Sequence, residues 1–314
     1  MQLATFLRRA ARSETAKTRF TFVFMLFLLF ALACKCGDLA KNANEKNSNN
    51  SNNSNNSNNS NDNGNSNNSN DRDSTKGNAT AKDEGDFVVS YLPVKDPNFV
   101  KLDESFRRER VLEDAARRLN KALALPADVT LTTKDCGQIN AFYQPGTKTL
   151  TICYELMAHF HQLFRNQGLS VEDANREMQN AITFVFFHEL GHGLIDLYDL
   201  GVTGKEEDAG DQLATYVTIE ELGDEDAAMA GAKAFLAESK SAGKGQDLPF
   251  YDEHSLGPQR FFNIICWLYG HDPDKYADVV EKGILPESRA AHCGDEYTKF
   301  SRYWKKQLEA YRKN

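Results

Sequence analysis

The chain has 314 residues, with 37 Lys and Arg against 45 Asp and Glu, for a formal net charge of −8. An acidic chain lacks the basic footprint of a nucleic-acid binder, so no nucleic-acid partner is expected. The first quarter has the composition of export and linker segments, which leaves one globular domain of ordinary size.

Arg8, Arg9, Arg12, Lys17 and Arg19 precede an apolar run from Phe20 to Ala33. A basic start, a short apolar core and small residues before a break mark an export signal. The run rises only about 21 Å at 1.5 Å per residue, short of the roughly 30 Å hydrocarbon core, and is a poor transmembrane span. Ala31-Leu32-Ala33-Cys34 resembles a bacterial lipobox, which implies lipidation of Cys34, with an uncleaved signal anchor as the alternative. Residues 1–36 thus read as signal peptide or lipoprotein anchor, and the membrane as a partner through them. Residues 37–86 are a linker in which Asn and Ser repeat with almost no apolar side chain. Such a segment cannot offset its ordering entropy. As a coil of about 50 residues it spans roughly 40 Å. It reads as a tether holding residues 87–314 off the outer face of a membrane.

The folded domain is predicted to open with a strand over Phe87–Tyr91 and an amphipathic helix over Asp103–Leu125, stopped by Pro126. Val129–Thr133, Gln138–Tyr143 and Thr149–Cys153 read as strands. Gln144-Pro145-Gly146 joins the last two as a hairpin. Tyr154–Asn166 reads as a helix, and Ser170 or Glu172 opens a long one. Further helices are predicted over Lys205–Leu222, Glu225–Ser239, Pro258–Tyr269, Asp272–Lys282 and Gly294–Arg312, with 240–256 a loop. The fold class is α+β: a mainly helical domain with a small antiparallel sheet near its front. His159 and His161, two apart, cannot share a helical face and read as surface or packing residues.

Six cysteines fall into two groups, Cys34 and Cys36 at the signal and Cys136, Cys153, Cys266 and Cys293 in the domain. In an exported chain an even set suggests disulfides, and four cysteines allow three pairings. Cys136–Cys153 across the hairpin and Cys266–Cys293 between two helices are expected. No C-x-x-C spacing favours zinc instead.

The chemistry centres on Ala181–Leu200, AITFVFFHELGHGLIDLYDL. Its first seven residues are apolar on nearly every side, as in a buried helix. His188 and His192, four apart, lie on one helical face and can grip one metal ion. Glu189 sits beside the first of them, where it can hold a water that the metal polarises. A catalytic zinc takes three protein ligands and keeps a fourth position open. Lys205-Glu206-Glu207-Asp208-Ala209-Gly210-Asp211 offers four acids at a helix start, where acids are favoured in any case. Glu207 and Asp211 share a face, so one can bind metal while the other orients a histidine. Spacing alone leaves the choice open: full-length antiparallel helices bring Asp211 nearer the level of His192, and a first helix ending soon after Leu194 lets Glu207 reach.

These residues resemble the thermolysin and neprilysin group of zinc metallopeptidases, the gluzincins. Asn140-Ala141-Phe142-Tyr143 is similar to the group's edge strand and His188-Glu189-Leu190-Gly191-His192 to its zinc helix. Glu207-x-x-x-Asp211 is similar to its third ligand with a carboxylate behind it, and His254-Ser255-Leu256-Gly257-Pro258-Gln259-Arg260 to neprilysin's H-S-x-G-x-x-R segment. The chain also resembles a family of bacterial metallopeptidases through the same strand, Phe187–His192, Glu207-Asp208-x-x-Asp211 and the helix carrying Asn263-Ile264-x-Cys266-Trp267.

The resemblance implies one Zn²⁺ held by His188, His192 and Glu207, with Glu189 as general base and then proton donor. It implies that Asp211 holds His188 and that His254 stabilises the oxyanion. Arg260 would hold a substrate carbonyl, and Asn140 and Ala141 would pair with an extended peptide. Asp196, one turn past His192, is a candidate supporting residue. The expected function is zinc-dependent hydrolysis of peptide or protein substrates. The competing reading is a surface or binding module that keeps the metal and cleaves nothing, against which the intact Glu189 argues.

Overall fold

The computed structural model describes residues 82–241 and 255–313. The expected signal, Cys34, nearly all of the linker and His254 lie outside the described residues. The domain is mostly helical, with one small sheet. In chain order the elements are β1 (Phe87–Val89), α1 (Val100–Glu109), α2 (Val111–Ala122), β2 (Val129–Lys134), β3 (Ala141–Gln144) and β4 (Thr149–Cys153). They continue with α3 (Tyr154–Asn166), α4 (Val171–Tyr198), α5 (Glu206–Tyr216) running into a π-helical turn (Val217–Glu221), and α6 (Glu225–Ser241). The last are α7 (Gly257–His271), α8 (Ala277–Glu281) and α9 (Glu287–Glu309).

Helix α4 is the axis of the domain. Ser170 caps it, its hydroxyl accepting the Asp173 N–H at 3.0 Å. The helix is 28 residues long. From Ala181 onward nearly every residue is buried or half-buried. The apolar run all round the helix dictates this, because such a helix must be covered on all sides. Helices α3, α5 and α6 and strand β3 supply the cover.

The sheet departs from the expected antiparallel one. Its strand order is β1-β2-β4-β3. β1 runs parallel to β2 and β2 parallel to β4, and only the β3–β4 hairpin is antiparallel. Strands β2 and β4 are buried along nearly their whole length, as parallel strands usually are. Alternating Thr in both sequences imitates a half-exposed antiparallel ladder, but Thr132, Thr133 and Thr151 are buried. Because β4 inserts between β2 and β3, the hairpin leaves β3 on the sheet's edge. Strand β3 also starts later than predicted. Glu155 accepts the Cys136 and Gly137 N–H groups at 3.0 and 2.6 Å and holds the loop ahead of it.

Two helix boundaries differ as well. The single helix expected over Asp103–Leu125 is broken at Arg110, whose left-handed conformation (φ 54°, ψ 39°) closes α1 and starts α2. The helix expected to begin at Gly294 begins at Glu287. Gly294 lies inside it, and α7 and α9 approach closely at Gly270, where an added Cβ would lie 2.2 Å from the Cys293 carbonyl oxygen. Asp272–Lys282 is helical only over Ala277–Glu281.

Both expected disulfides are present. Cys136 and Cys153 join β4 to the loop before β3 with Cα atoms 5.5 Å apart, and Cys266 and Cys293 join α7 to α9 at 5.1 Å. The second closes the longer loop, 27 residues. Replacing Cys266 and Cys293 by Ala is therefore expected to cost about 3 kcal/mol in denaturant unfolding. A change below about 1 kcal/mol would mean that the α7–α9 contact holds without its cross-link.

Candidate metal centre

The centre is built where α5 crosses α4 antiparallel. His188 and His192 project from α4 one turn apart. Glu206, Glu207 and Asp211 project from the first turns of α5. Two glycines let the helices meet. A Cβ on Gly191 would lie 3.2 Å from the Gly210 Cα, and one on Gly210 would lie 2.9 Å from Cε1 and Nδ1 of the His188 ring. Any side chain at 210 would therefore push α5 and its carboxylates off the imidazole.

Each histidine has one nitrogen held and the other turned inward. The His188 Nδ1 lies 3.0 Å from Asp211 Oδ1, and the His192 Nδ1 lies 2.7 Å from Glu206 Oε1. Both carboxylates thus favour the Nδ1–H tautomer and leave Nε2 as the donor to the centre. The two Nε2 atoms are 3.3 Å apart. Glu207 Oε2 is 3.0 Å from His188 Nε2, and Glu207 Oε1 is 3.5 Å from His192 Nε2. Two imidazole lone pairs repel at that distance unless a proton or a cation lies between them.

The donor set fits a small tetrahedral cation. Ligands at about 2.0–2.1 Å from a tetrahedral ion stand roughly 3.3–3.4 Å from one another. His188, His192 and Glu207 each offer one ligand atom, and these atoms all lie within 4.8 Å of one another. Helix α4 runs on to Tyr198, yet Glu207 reaches both Nε2 atoms while Asp211 lies behind His188. The antiparallel crossing pairs the later acid with the earlier histidine, and neither arrangement weighed from spacing anticipates this.

Electrostatics match that division. Burial alone would push His188 and His192 down. Asp211 and Glu207 at the first, and Glu207 and Glu206 at the second, outweigh it and hold both imidazoles up, His192 to about 9. A cation entering the centre replaces those protons. Burial alone would raise the Asp211 carboxyl, but the Arg260 guanidinium holds it well below the usual carboxylate range.

Arg260 is clamped to Asp211. Its Nε donates to Asp211 Oδ2 at 2.8 Å and its Nη2 to Oδ1 at 2.6 Å, a two-pronged pair. The guanidinium carbon also lies 3.6 Å above the Phe235 ring. Only 11% of the Arg260 side chain is exposed. The structure thus brings together a line of groups, Arg260 to Asp211 to His188. Ser255, next to His254 in sequence, donates to Asp208 at 2.9 Å and ties the approach to α7 onto the start of α5.

Glu189 is buried, and its Oε2 accepts the Tyr143 backbone N–H at 2.9 Å. Tyr143 lies on β3, so the edge of the sheet runs directly beside the centre. The N–H groups alternate along a strand. That of Tyr143 points away from β4, so Ala141 presents its backbone to the same open edge. Asn140 folds onto its own strand: its Oδ1 accepts the Ala141 N–H at 3.0 Å, and its carbonyl accepts the Cys153 N–H at 3.2 Å. Asp196 does not reach a histidine nitrogen; it accepts the Tyr143 hydroxyl at 2.9 Å. The sequence assigns no role to Glu206 or Tyr143. Glu206 is one acid among four, and the Tyr143 contact spans 46 residues, beyond any local signal.

A family model described as "Putative metallopeptidase" matches residues 91–308, well over half of the chain. No curated protein and no solved structure shows a significant match.

Proposed function

The chain belongs to that metallopeptidase family, and from this premise we propose that it is a zinc peptidase of gluzincin type, exported and tethered at the outer face of a membrane. One observation carries the reading: two inward-facing Nε2 atoms and one carboxylate converge at tetrahedral spacing beside a buried glutamate that lies next to a strand edge.

His188, His192 and Glu207 would hold Zn²⁺. The ion, when bound, supplies the Lewis acid that acidifies a water and polarises the scissile carbonyl. Asp211 and Glu206 keep the histidines in the tautomer that presents Nε2. The Glu189 carboxylate takes the water's proton as the oxygen attacks the carbonyl carbon, and returns it to the amide nitrogen as the C–N bond breaks. Ala141 on the open edge of β3 offers its backbone carbonyl to an extended peptide, by strand addition, its N–H being taken by Asn140. The basic and apolar N-terminus supports the tether, and Cys34 would carry the lipid.

The test is a peptide-library digest with the zinc-loaded chain, repeated after chelation. Cleavage that stops on chelation and returns with zinc is expected. A chain that binds zinc and leaves every peptide intact would instead be a metal-holding surface module. A companion result concerns the third ligand. Glu207→Ala is expected to weaken zinc binding more than Asp211→Ala, the latter costing about 10–100-fold as the loss of a ligand's orienting partner does. Competition with a chromogenic chelator reads both, and the reverse order would move the ligand to Asp211.

A further inference from the structure

The role given to Glu189 requires that its carboxylate be held by one oxygen while the other stays available. Its Oε2 is held by the Tyr143 N–H at 2.9 Å. The same tyrosine grips α4 at two more points. Its hydroxyl donates to Asp196 Oδ2 at 2.9 Å. Its ring lies against Gly193, where an added Cβ would come within 3.3 Å of Cδ2 and Cε2. Glu189, Gly193 and Asp196 stand at positions i, i+4 and i+7, one face of one helix. A single residue of the edge strand thus spans two turns of α4. Burial and the Asp196 carboxylate push the Tyr143 phenol up, so it remains a donor at every working pH.

We propose that Tyr143 is a positioning residue. Anchored by Asp196 and seated on Gly193, it fixes the edge strand to α4 so that its backbone N–H holds Glu189 Oε2 and leaves Oε1 for the water's proton. This rests on the peptidase reading and extends it: Asp196 acts on the general base through the strand, not on a metal ligand. A backbone N–H can orient a carboxylate only as well as its own strand is placed. Strand β3 is four residues long and bonded to a neighbour on one side only. The Tyr143 hydroxyl bond and ring contact supply the missing restraint, and among the described residues no other β3 side chain has a hydrogen bond to α4.

The test uses the full zinc-loaded chain with Tyr143→Phe, Asp196→Ala and the double variant. Three quantities are read: hydrogen exchange at the residue-143 amide, kcat and KM on a peptide the wild type cleaves, and bound zinc. Each single variant is expected to speed that exchange and lower kcat by about tenfold, the scale of one hydrogen bond. KM should stay within about twofold and zinc content should not change. The double variant should be no worse than the poorer single one, and Asp196→Asn, which keeps an acceptor oxygen, should recover most of the loss. Unchanged exchange, unchanged kcat, or losses that multiply in the double variant would each overturn the proposal. A wild type that holds zinc and cleaves nothing would overturn the peptidase reading and this proposal together. Wild-type turnover that survives both substitutions would overturn this one alone.

Discussion

Glu189→Gln is expected to keep its zinc and lose turnover by about 10²–10⁴-fold, the range that a positioned general base supplies. The substitution is nearly isosteric. The glutamine carbonyl oxygen can still accept the Tyr143 N–H that Glu189 Oε2 accepts now. None of the three ligand atoms belongs to residue 189. What disappears is the carboxylate proposed to receive the water's proton and hand it to the leaving nitrogen. Loss of kcat with unchanged zinc content and little change in KM is therefore the expected pattern. Turnover within tenfold of wild type would assign the base to another group.

Arg260→Met is expected to destabilise the fold by about 3–5 kcal/mol, the cost of leaving one partner of a buried ion pair alone. The reason is where Asp211 sits. It is 3% exposed, both its oxygens take Arg260 donors, and one also faces the His188 Nδ1. Without the guanidinium the carboxylate must protonate or stay charged in an apolar surround. Protonation, or a shift of the carboxylate once its clamp is gone, weakens its hold on His188, so zinc affinity should fall too. Adding Asp211→Asn to Arg260→Met removes the stranded charge and should recover part of the stability but not the affinity. Urea unfolding of the two variants reads this directly. A loss below about 1 kcal/mol for Arg260→Met would mean that water reaches Asp211 and that the pair is not buried in solution.

How much of this was legible in the sequence depended on the range of the contact. The four-residue spacing of His188 and His192, the four-residue spacing of Glu207 and Asp211, and the Ser170 cap are local, and helical periodicity exposes them. The all-round apolar run before His188 likewise announced a central helix. The two disulfides were legible as two pairs once export was assumed. Three things were not. The sheet's parallel strands hide behind alternating Thr, because buried threonines look polar in a pattern. Close helix approach at Gly191 and Gly210, which decides that Glu207 reaches both imidazoles, is a tertiary fact with no periodicity of its own. The Arg260–Asp211 pair spans 49 residues and the Tyr143–Asp196 bond 53, so nothing local joins them. Resemblance gave Arg260 only a substrate carbonyl to hold and did not point to its pair with Asp211. It left Tyr143 without a role, though this residue touches the proposed base.

Zinc stoichiometry by elemental analysis is the direct test of the metal centre. The wild-type chain and the His188→Ala variant would be produced in zinc-replete medium and passed through a weak chelating resin. About one zinc per wild-type chain and close to none in the variant are expected, with both chains folded by circular dichroism. A folded wild type that carries no zinc, or a variant that keeps it, would contradict the account, because the convergence of His188, His192 and Glu207 would then serve something other than a metal.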